Sequence, residues 1–402
     1  MGESIVLRFC GAVDPLNIAT HLERGGFQAL SRARKMGPDN IIAEVKASRL
    51  KGRGGAGFPC GIKWELARSA AGKEKYLICN ADEGEVGTFK DRFLIQHDPF
   101  SLIEGIAIAA YAIGAKKAFI YLRGEYRYLL ADLKKAIDQA VSKGLLHVPV
   151  EIREGAGAYV CGEESALMNS IEGRRGEVRF RPPFPPSRGL FGKPTIINNV
   201  ETLMNIPAII EKGAPWFASI GTAESSGTKV FSVSGDVARR GVYELAMGER
   251  LSALLQLAGA KDVKMVQIGG ATGGVVPASM VETPLSYETV LGSGAIMVFN
   301  SGRDVIDFVW RTMEFLNEES CGECTPCREG TEVMVEILGR LARAEGVPDD
   351  VRTLEDLSRL MMASSLCGLG QAAPHPVLDT LRYFRNDYEN RIRQSVFLRT
   401  LR

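Results

Sequence analysis

The chain has 402 residues, enough for two or three domains with sizeable cores, and its 45% hydrophobic and 24% charged content is that of a globular protein. A formal net charge of +1 excludes the overall field that would draw nucleic acid or an anionic membrane surface. Met1–Gly11 has no long apolar run behind a basic start, so no secretory signal is expected, and the apolar stretch Ile106–Ile113 is too short to cross a bilayer. A cytoplasmic location is expected, with no nucleic-acid binding and no direct membrane insertion.

In chain order, "DPLNIATHLERGG" and "PDNIIAEVKASRL" predict two short helices, the first stopped at Gly25–Gly26 and the second opened by Pro38–Asp39. "GRGGAGFPCGIKW" (Gly52–Trp64) follows, with five glycines in thirteen residues. Bare backbone of this kind serves turns that need positive φ, or lets amide N–H groups approach an anion or a flat ring. "KYLICNADEGEVGTF" predicts a buried strand running into an acidic loop. "DPFSLIEGIAIAAYAIGA" predicts a helix, "KAFIYLRGE" a strand, "YRYLLADLKKAIDQAVSKG" a helix and "VPVEIREG" a strand. This alternation argues for an α/β layer with a mostly parallel sheet. The proline-rich "RFRPPFPPSRGLFGKP" (Arg179–Pro194) is expected to be an irregular, functional loop. From about Lys229 the strands "KVFSVSG", "GVYEL", "VKMVQIGG" and "GAIMVFN" surround one helix, "RLSALLQLAG", and predict a small α+β unit. From Asp304 onward the pattern is helical. The expected domains are 1–228, 229–303 and 304–402.

"SCGECTPCREG" sets Cys321, Cys324 and Cys327 at three-residue spacing, and Cys367 stands in "SSLCGLG". On a helix, steps of three would keep the thiolates within one sector, and Pro326 suits a first helical turn. A four-cysteine set fits a [4Fe–4S] cluster or structural zinc, and three consecutive thiolates with a remote fourth favour the cluster. A one-electron cluster fed by NADH needs a flavin between them, since the flavin accepts both electrons of a hydride and releases them singly. The rival is a non-enzymatic zinc-binding scaffold protein.

Five stretches in this order, "GRGGAGFPCGIKW", "NADEGEVGTFKDR", "GAYVCGEESAL", "NNVETL" and "SCGECTPCREG" with "LCGLG", resemble the family of NADH-binding, FMN-containing flavoprotein subunits of respiratory complex I and of NAD-linked hydrogenases and formate dehydrogenases. The resemblance implies an α/β Rossmann-like FMN domain, a small ubiquitin-like (β-grasp) domain and a C-terminal helical bundle with the cluster. It implies that Gly52, Arg53, Gly54, Gly55 and Lys63 line a flavin and nucleotide cleft. Asn80, Asp82, Glu83 and Glu85 would bond the flavin and the nicotinamide end, with Glu85 and Lys63 as the catalytic pair. Tyr159, Gly162, Glu163 and Glu164 would close the other side, and Asn198, Asn199 and Thr202 would meet FMN. Phe58 and Phe184 would offer aromatic faces, and Arg181 would lie near the nucleotide phosphates. Three positions depart from the family pattern: Cys60 for Thr, Arg181 for Lys, and Leu66 for an adenine-stacking Phe. The implied activity is hydride exchange between NAD(H) and FMN, with electrons leaving singly through the cluster. The implied partners are a thioredoxin-like [2Fe–2S] protein and a further catalytic or iron–sulfur subunit. The opening "IVLRFCGAVDP" is closer to the hydrogenase and formate dehydrogenase relatives than to complex I. His21, His97, His147 and His375 are expected to be structural or exposed.

Overall fold

The computed structural model describes residues 4–289 and 291–400, so Met1–Glu3 of the opening stretch and Val290 lie outside the described residues. Apolar runs in the first half build a four-stranded, wholly parallel sheet from β1 (Tyr76–Ala81), β2 (Lys117–Leu122), β3 (Val150–Glu154) and β4 (Thr195–Asn199), in the order β3-β2-β1-β4. Alternate residues serve opposite faces. Leu77 and Cys79 of β1 join one core with the helix Pro99–Ile113, while Ile78 packs with Phe119, Ile197 and the helix Glu164–Ile171. β1 and β2, buried on both faces, are accordingly near-continuous apolar strands, while the edge strand β3 carries charged residues. The helix Pro99–Ile113 begins where Asp98 accepts the Ser101 amide at 3.1 Å, and it ends at left-handed Gly114.

β4 and the helices Gln28–Met36, Cys60–Ser69 and Lys90–His97 are elements that the sequence pattern does not announce. β4 decides the site. It pairs with β1 on the side away from β2, so the strand order reverses there and leaves a crevice at the carboxyl ends of β1 and β4. The proline-rich loop also holds two short helical turns, Pro185–Arg188 and Leu190–Gly192, where an irregular path throughout is expected from the sequence.

The second sheet contains β5 (Thr228–Gly235), β6 (Gly241–Ala246), β7 (Val263–Ile268), β8 (Gly274–Pro277) and β9 (Ala295–Asn300), in the order β6-β5-β9-β7-β8. Only β5 and β9 run parallel. Leu251, Leu254 and Leu255 of one helix pack on Phe231, Val266 and Ile296 of this sheet. Its other face, through Met265 and Val275, meets Val305 at the start of the C-terminal helices. Those helices close around Met313, Met334, Leu338 and Tyr388. A buried charge cluster joins the two sheets. Glu201 accepts Lys229 Nζ at 2.6 Å and the Val230 amide at 2.8 Å, and it lies 3.0 Å from Lys90 Nζ, which bonds Asp91 at 2.7 Å. These four side chains are almost wholly buried, so their mutual pairing is what makes their burial tolerable.

Candidate functional site

The crevice at β1 and β4 is a cavity of about 890 Å³, in the size range of sites for large organic ligands. One wall is the glycine loop, where Gly52, Gly54, Ala56, Gly57 and Phe58 face the cavity. Two of these glycines have a steric reason. A Cβ at Gly57, which has φ +65°, would come within 2.7 Å of the Tyr287 ring, and one at Gly54 within 3.2 Å of Asn199 Cβ. The floor is Asn80 from β1, with Ile197, Asn198 and Asn199 from β4 and Thr202 from the following helix. Asn198 Oδ1 accepts the buried Trp64 indole at 2.8 Å, which fixes the amide with its NH₂ group free of that bond. Asn199 Oδ1 caps the helix Val200–Lys212 at the Glu201 amide (3.0 Å), and its NH₂ donates to Asp91 at 2.6 Å. That helix therefore begins at the cleft floor with its partial positive end.

On the opposite wall Gly162, Glu163 and Glu164 face the cavity. Glu163 caps the helix Glu164–Ile171, accepting the Ser165 amide at 2.8 Å, and it also pairs with Arg181. Lys63 Nζ reaches across to Glu164 at 2.8 Å and to the Ile197 carbonyl at 3.1 Å. Arg181 lies 3.3 Å from the other oxygen of Glu164. Burial opposes ionisation of Glu164, but Lys63 and Arg181 outweigh it and hold the carboxyl below its usual value. Phe58, Leu66 and Phe184 are each about half exposed and line the same cavity.

Six residues expected at the cleft are not among those that line it. The Arg53 guanidinium, expected at phosphates, is fully buried and donates to the Ser226 carbonyl at 2.6 Å, while its amide bonds Thr202 Oγ1 at 2.8 Å. Gly55 turns the loop at φ +127° toward Gly292–Ser293. Glu83 accepts the amides of Asp91 (2.8 Å) and Arg92 (3.1 Å), capping the helix Lys90–His97, and also the Tyr126 hydroxyl (3.0 Å). Burial, with Asp91 adding to it, pushes its carboxyl up to about 7. Glu85 accepts the Tyr159 hydroxyl and the Ala271 amide, both at 2.7 Å. It ties the acidic loop to the second sheet, and burial raises its carboxyl. Tyr159 stacks edge-on against Phe315 of the C-terminal helices. Asp82 Oδ2 is buried with no partner among the described residues, and burial, opposed by Arg123, lifts this carboxyl to about 7. Glu83 and Glu85 thus accept amide donors outside the cleft, whereas Asp82 Oδ2 accepts none among the described residues.

Cys321, Cys324, Cys327 and Cys367 line one small pocket with Val160, Val178 and Leu369. They do not share one helix as the spacing suggests. Cys321 and Cys324 lie in a loop turned by Gly322 at φ +76°, and only Cys327 is inside the helix Thr325–Ala342, whose first turn carries Pro326. Burial pushes the Cys327 thiol up to about 11 and raises Cys367 as well. Among the described residues no three His, Cys, Asp or Glu side chains are grouped tightly enough for a single metal ion. A multinuclear cluster spans a wider set of sulfurs, and four thiols around one pocket suit it. Sequence reasoning passes over Gly368, which lines the cleft while Cys367 beside it lines the cysteine pocket. The pair in "LCGLG" is the available signal. Trp64 is fully buried, and it also orients Asn198.

The cleft at the strand-order reversal and the four-cysteine pocket share a wall at Gly368 and Cys367. Residues 45–208 match the Nuo51 FMN-binding domain, and residues 307–391 match the NADH-ubiquinone oxidoreductase-F iron-sulfur binding region. The chain is 42% identical to the NADP-reducing hydrogenase subunit HndC of Solidesulfovibrio fructosivorans, over 96% of this chain and 82% of that one. It is 42% identical to an NADH-quinone oxidoreductase subunit of Rhizobium meliloti, over 96% and 97%. Against the NAD-reducing hydrogenase HoxS subunit alpha of Cupriavidus necator it is 43% identical, over 88% of this chain and 61% of that one. Its structure resembles a chain of an NAD⁺-reducing [NiFe]-hydrogenase in the H₂-reduced state, with TM-score 0.90 and 40% identity over 97% of this chain and 67% of that one. The chain belongs to the family of NADH-oxidising flavoprotein subunits, with FMN and a [4Fe–4S] cluster as cofactors, found in complex I and in NAD-reducing hydrogenases. Among the described residues no helix is long and apolar enough to cross a membrane.

Proposed function

We propose that FMN and the dinucleotide share the 890 Å³ cleft, and that Cys321, Cys324, Cys327 and Cys367 hold the cluster next to it. The observation that carries this reading is the shared wall, where Gly368 faces one cavity and Cys367 the other. Bound FMN supplies the chemistry, accepting a hydride from NADH and releasing its electrons one at a time. The chain's own residues bind and orient. Backbone of Gly52, Gly54 and Gly57 can approach phosphate or ring atoms, and the start of the helix Val200–Lys212 favours negative charge. The NH₂ of Asn198, held by Trp64, and the Asn80 side chain offer hydrogen bonds. Lys63 places a positive charge over the cleft floor, steadied by Glu164. Phe58, Phe184 and Leu66 give the adenine a slot, with Glu164 and Arg181 at the adenosine ribose and phosphates. Arg53, Asp82, Glu83, Glu85, Tyr159 and Asn199 act as positioning residues that hold these walls.

The domains are read as 1–228, 229–303 and 304–402. The middle one is a ubiquitin-like β-grasp unit, since its order places the first and last strands parallel at the centre with a helix across one face. With one cluster motif in the chain, the electrons need a thioredoxin-like [2Fe–2S] partner and a further catalytic or iron–sulfur subunit, assembled in the cytoplasm. Relatives at 42–43% identity carry both hydrogenase and quinone oxidoreductase names, so the acceptor can be of either type. The test is an anaerobic NADH titration of the full-length chain loaded with FMN and iron. NADH should bleach the flavin bands and then the broad cluster absorption. Protein that binds FMN and iron but shows no NADH-dependent bleaching would refute the reading.

A further inference from the structure

A second cavity, of about 540 Å³, opens on the far side of the proline-rich loop. Arg174, Arg179, Arg181 and Arg188 line it, against one carboxylate, Glu172. Glu172 is mostly buried and is already occupied. It lies 2.8 Å from Arg179 and 3.7 Å from Arg174, and it accepts the Phe191 amide at 2.8 Å. Arg179 is fixed further by Asn169 Oδ1 at 2.8 Å. Arg188 pairs with no carboxylate among the described residues, so the cavity keeps an excess of positive charge.

Two aromatic rings stand beside these guanidinium groups. Phe180 is 70% exposed and Phe191 50%, and Phe191 sits at φ +50°, a left-handed conformation that a bulky residue adopts only at a cost. A polar cavity of this size, with several guanidinium forks and two rings at its edge, fits a phosphate carried by a flat heterocycle. Arg181 and Pro185 line this cavity and the cleft alike, so a group held here is felt across Arg181 by Glu163 and Glu164.

We propose that this arginine-lined cavity is a second anion site, which takes a phosphate group of a nucleotide and is coupled through Arg181 to the dinucleotide cleft. The inference rests on the reading of that cleft given above. The phosphate has two possible sources: the 2′-phosphate of a dinucleotide lying in the cleft, or a separate nucleotide.

The test is titration calorimetry on the full-length, FMN-loaded chain with 2′,5′-ADP, 5′-ADP and pyrophosphate. At least one probe should bind saturably, and Arg174→Gln with Arg188→Gln should weaken it tenfold or more while NADH-dependent flavin bleaching stays as in wild type. Displacement of 2′,5′-ADP by NADH, with 5′-ADP bound much more weakly, assigns the phosphate to the dinucleotide. Binding of 5′-ADP or pyrophosphate that survives saturating NADH assigns it to a separate ligand. No saturable binding, or binding unchanged in the double variant, overturns the proposal. If the double variant does not fold, Arg188→Gln alone, at an exposed and unpaired position, is read by the same criteria. Loss of NADH bleaching in the wild-type chain would defeat the cleft reading separately, since the calorimetry does not depend on it.

Discussion

The cleft and the cysteine pocket meet at Cys367 and Gly368 but are built on opposite terms. The cleft is finished by protein alone. Its amides are held by an indole, a helix start and a buried set of charges, and its glycines sit where a Cβ would collide. The cysteine pocket has little of this: among the described residues Ser320 is the side-chain hydrogen-bond partner of its thiols, its hydroxyl 3.3 Å from Cys327 Sγ. Burial favours the neutral thiol at Cys327 and Cys367, so in the proposed site metal binding would drive their deprotonation and order the ligands. An organic cofactor can be met by a preformed cavity, whereas a metal cluster completes its own site. Damage to one should therefore leave the other largely intact.

The largest effect is expected at the cysteines. Cys324→Ser should abolish or cripple the cluster, read as iron content and the reduced-state EPR signal, and FMN content should stay near wild type. Full iron in that variant would remove Cys324 from the ligand set.

Next comes the rigid packing behind the cleft. Asp82 titrates near 4 in an unfolded chain but is lifted to about 7 in the folded one. Between those values the folded chain holds the extra proton, so stability falls as pH rises through that window. Asp82→Asn should flatten this fall, by up to about 4 kcal/mol between pH 4 and 8, measured by denaturant unfolding. An unchanged pH profile would mean that Asp82 is ionised in the folded chain.

Gly57→Ala puts a methyl group against Tyr287 at a left-handed position, a strain of about 1–2 kcal/mol before the ring moves. FMN affinity should drop roughly tenfold, with iron content unchanged. Equal loss of FMN and iron would break the separation of the two sites.

The smallest effect concerns coenzyme choice. In the proposed arrangement Glu164 lies at the adenosine ribose, so its carboxylate would repel a 2′-phosphate that stays in the cleft, although Lys63 and Arg181 already share its charge. Glu164→Gln should raise kcat/KM for NADPH by about tenfold, or about 1.4 kcal/mol, and lower NADH activity by less. Unchanged NADPH kinetics at full FMN content would move selectivity elsewhere in the cleft.

Much of this is legible in the sequence because it rests on local rules. β1 and β2 are apolar runs flanked by turns, β3 alternates apolar and charged residues, and the four cysteines carry their own spacing. What escapes is set by neighbours. β4 is five residues wedged between a proline-rich loop and a helix, and only its pairing with β1 makes it a strand. Glu83 and Glu85 form an acidic turn in the sequence, but whether they face a ligand depends on where the helix Lys90–His97 and the Ala271 amide lie. Arg53 is expected at phosphates, and its partner proves to be a carbonyl 173 residues away. The arginine-lined cavity gathers Arg174 to Arg188 around Glu172 by a fold of the loop that no spacing rule encodes.

The most direct measurement of the central claim, two separate sites working in series, is low-temperature EPR of the full-length chain reduced either by NADH or by dithionite. Wild type should give the cluster signal with both reductants. Gly57→Ala stripped of FMN should give it with dithionite and lose it with NADH, and FMN added in excess should restore it. A cluster signal that NADH produces in the flavin-free variant would contradict the account.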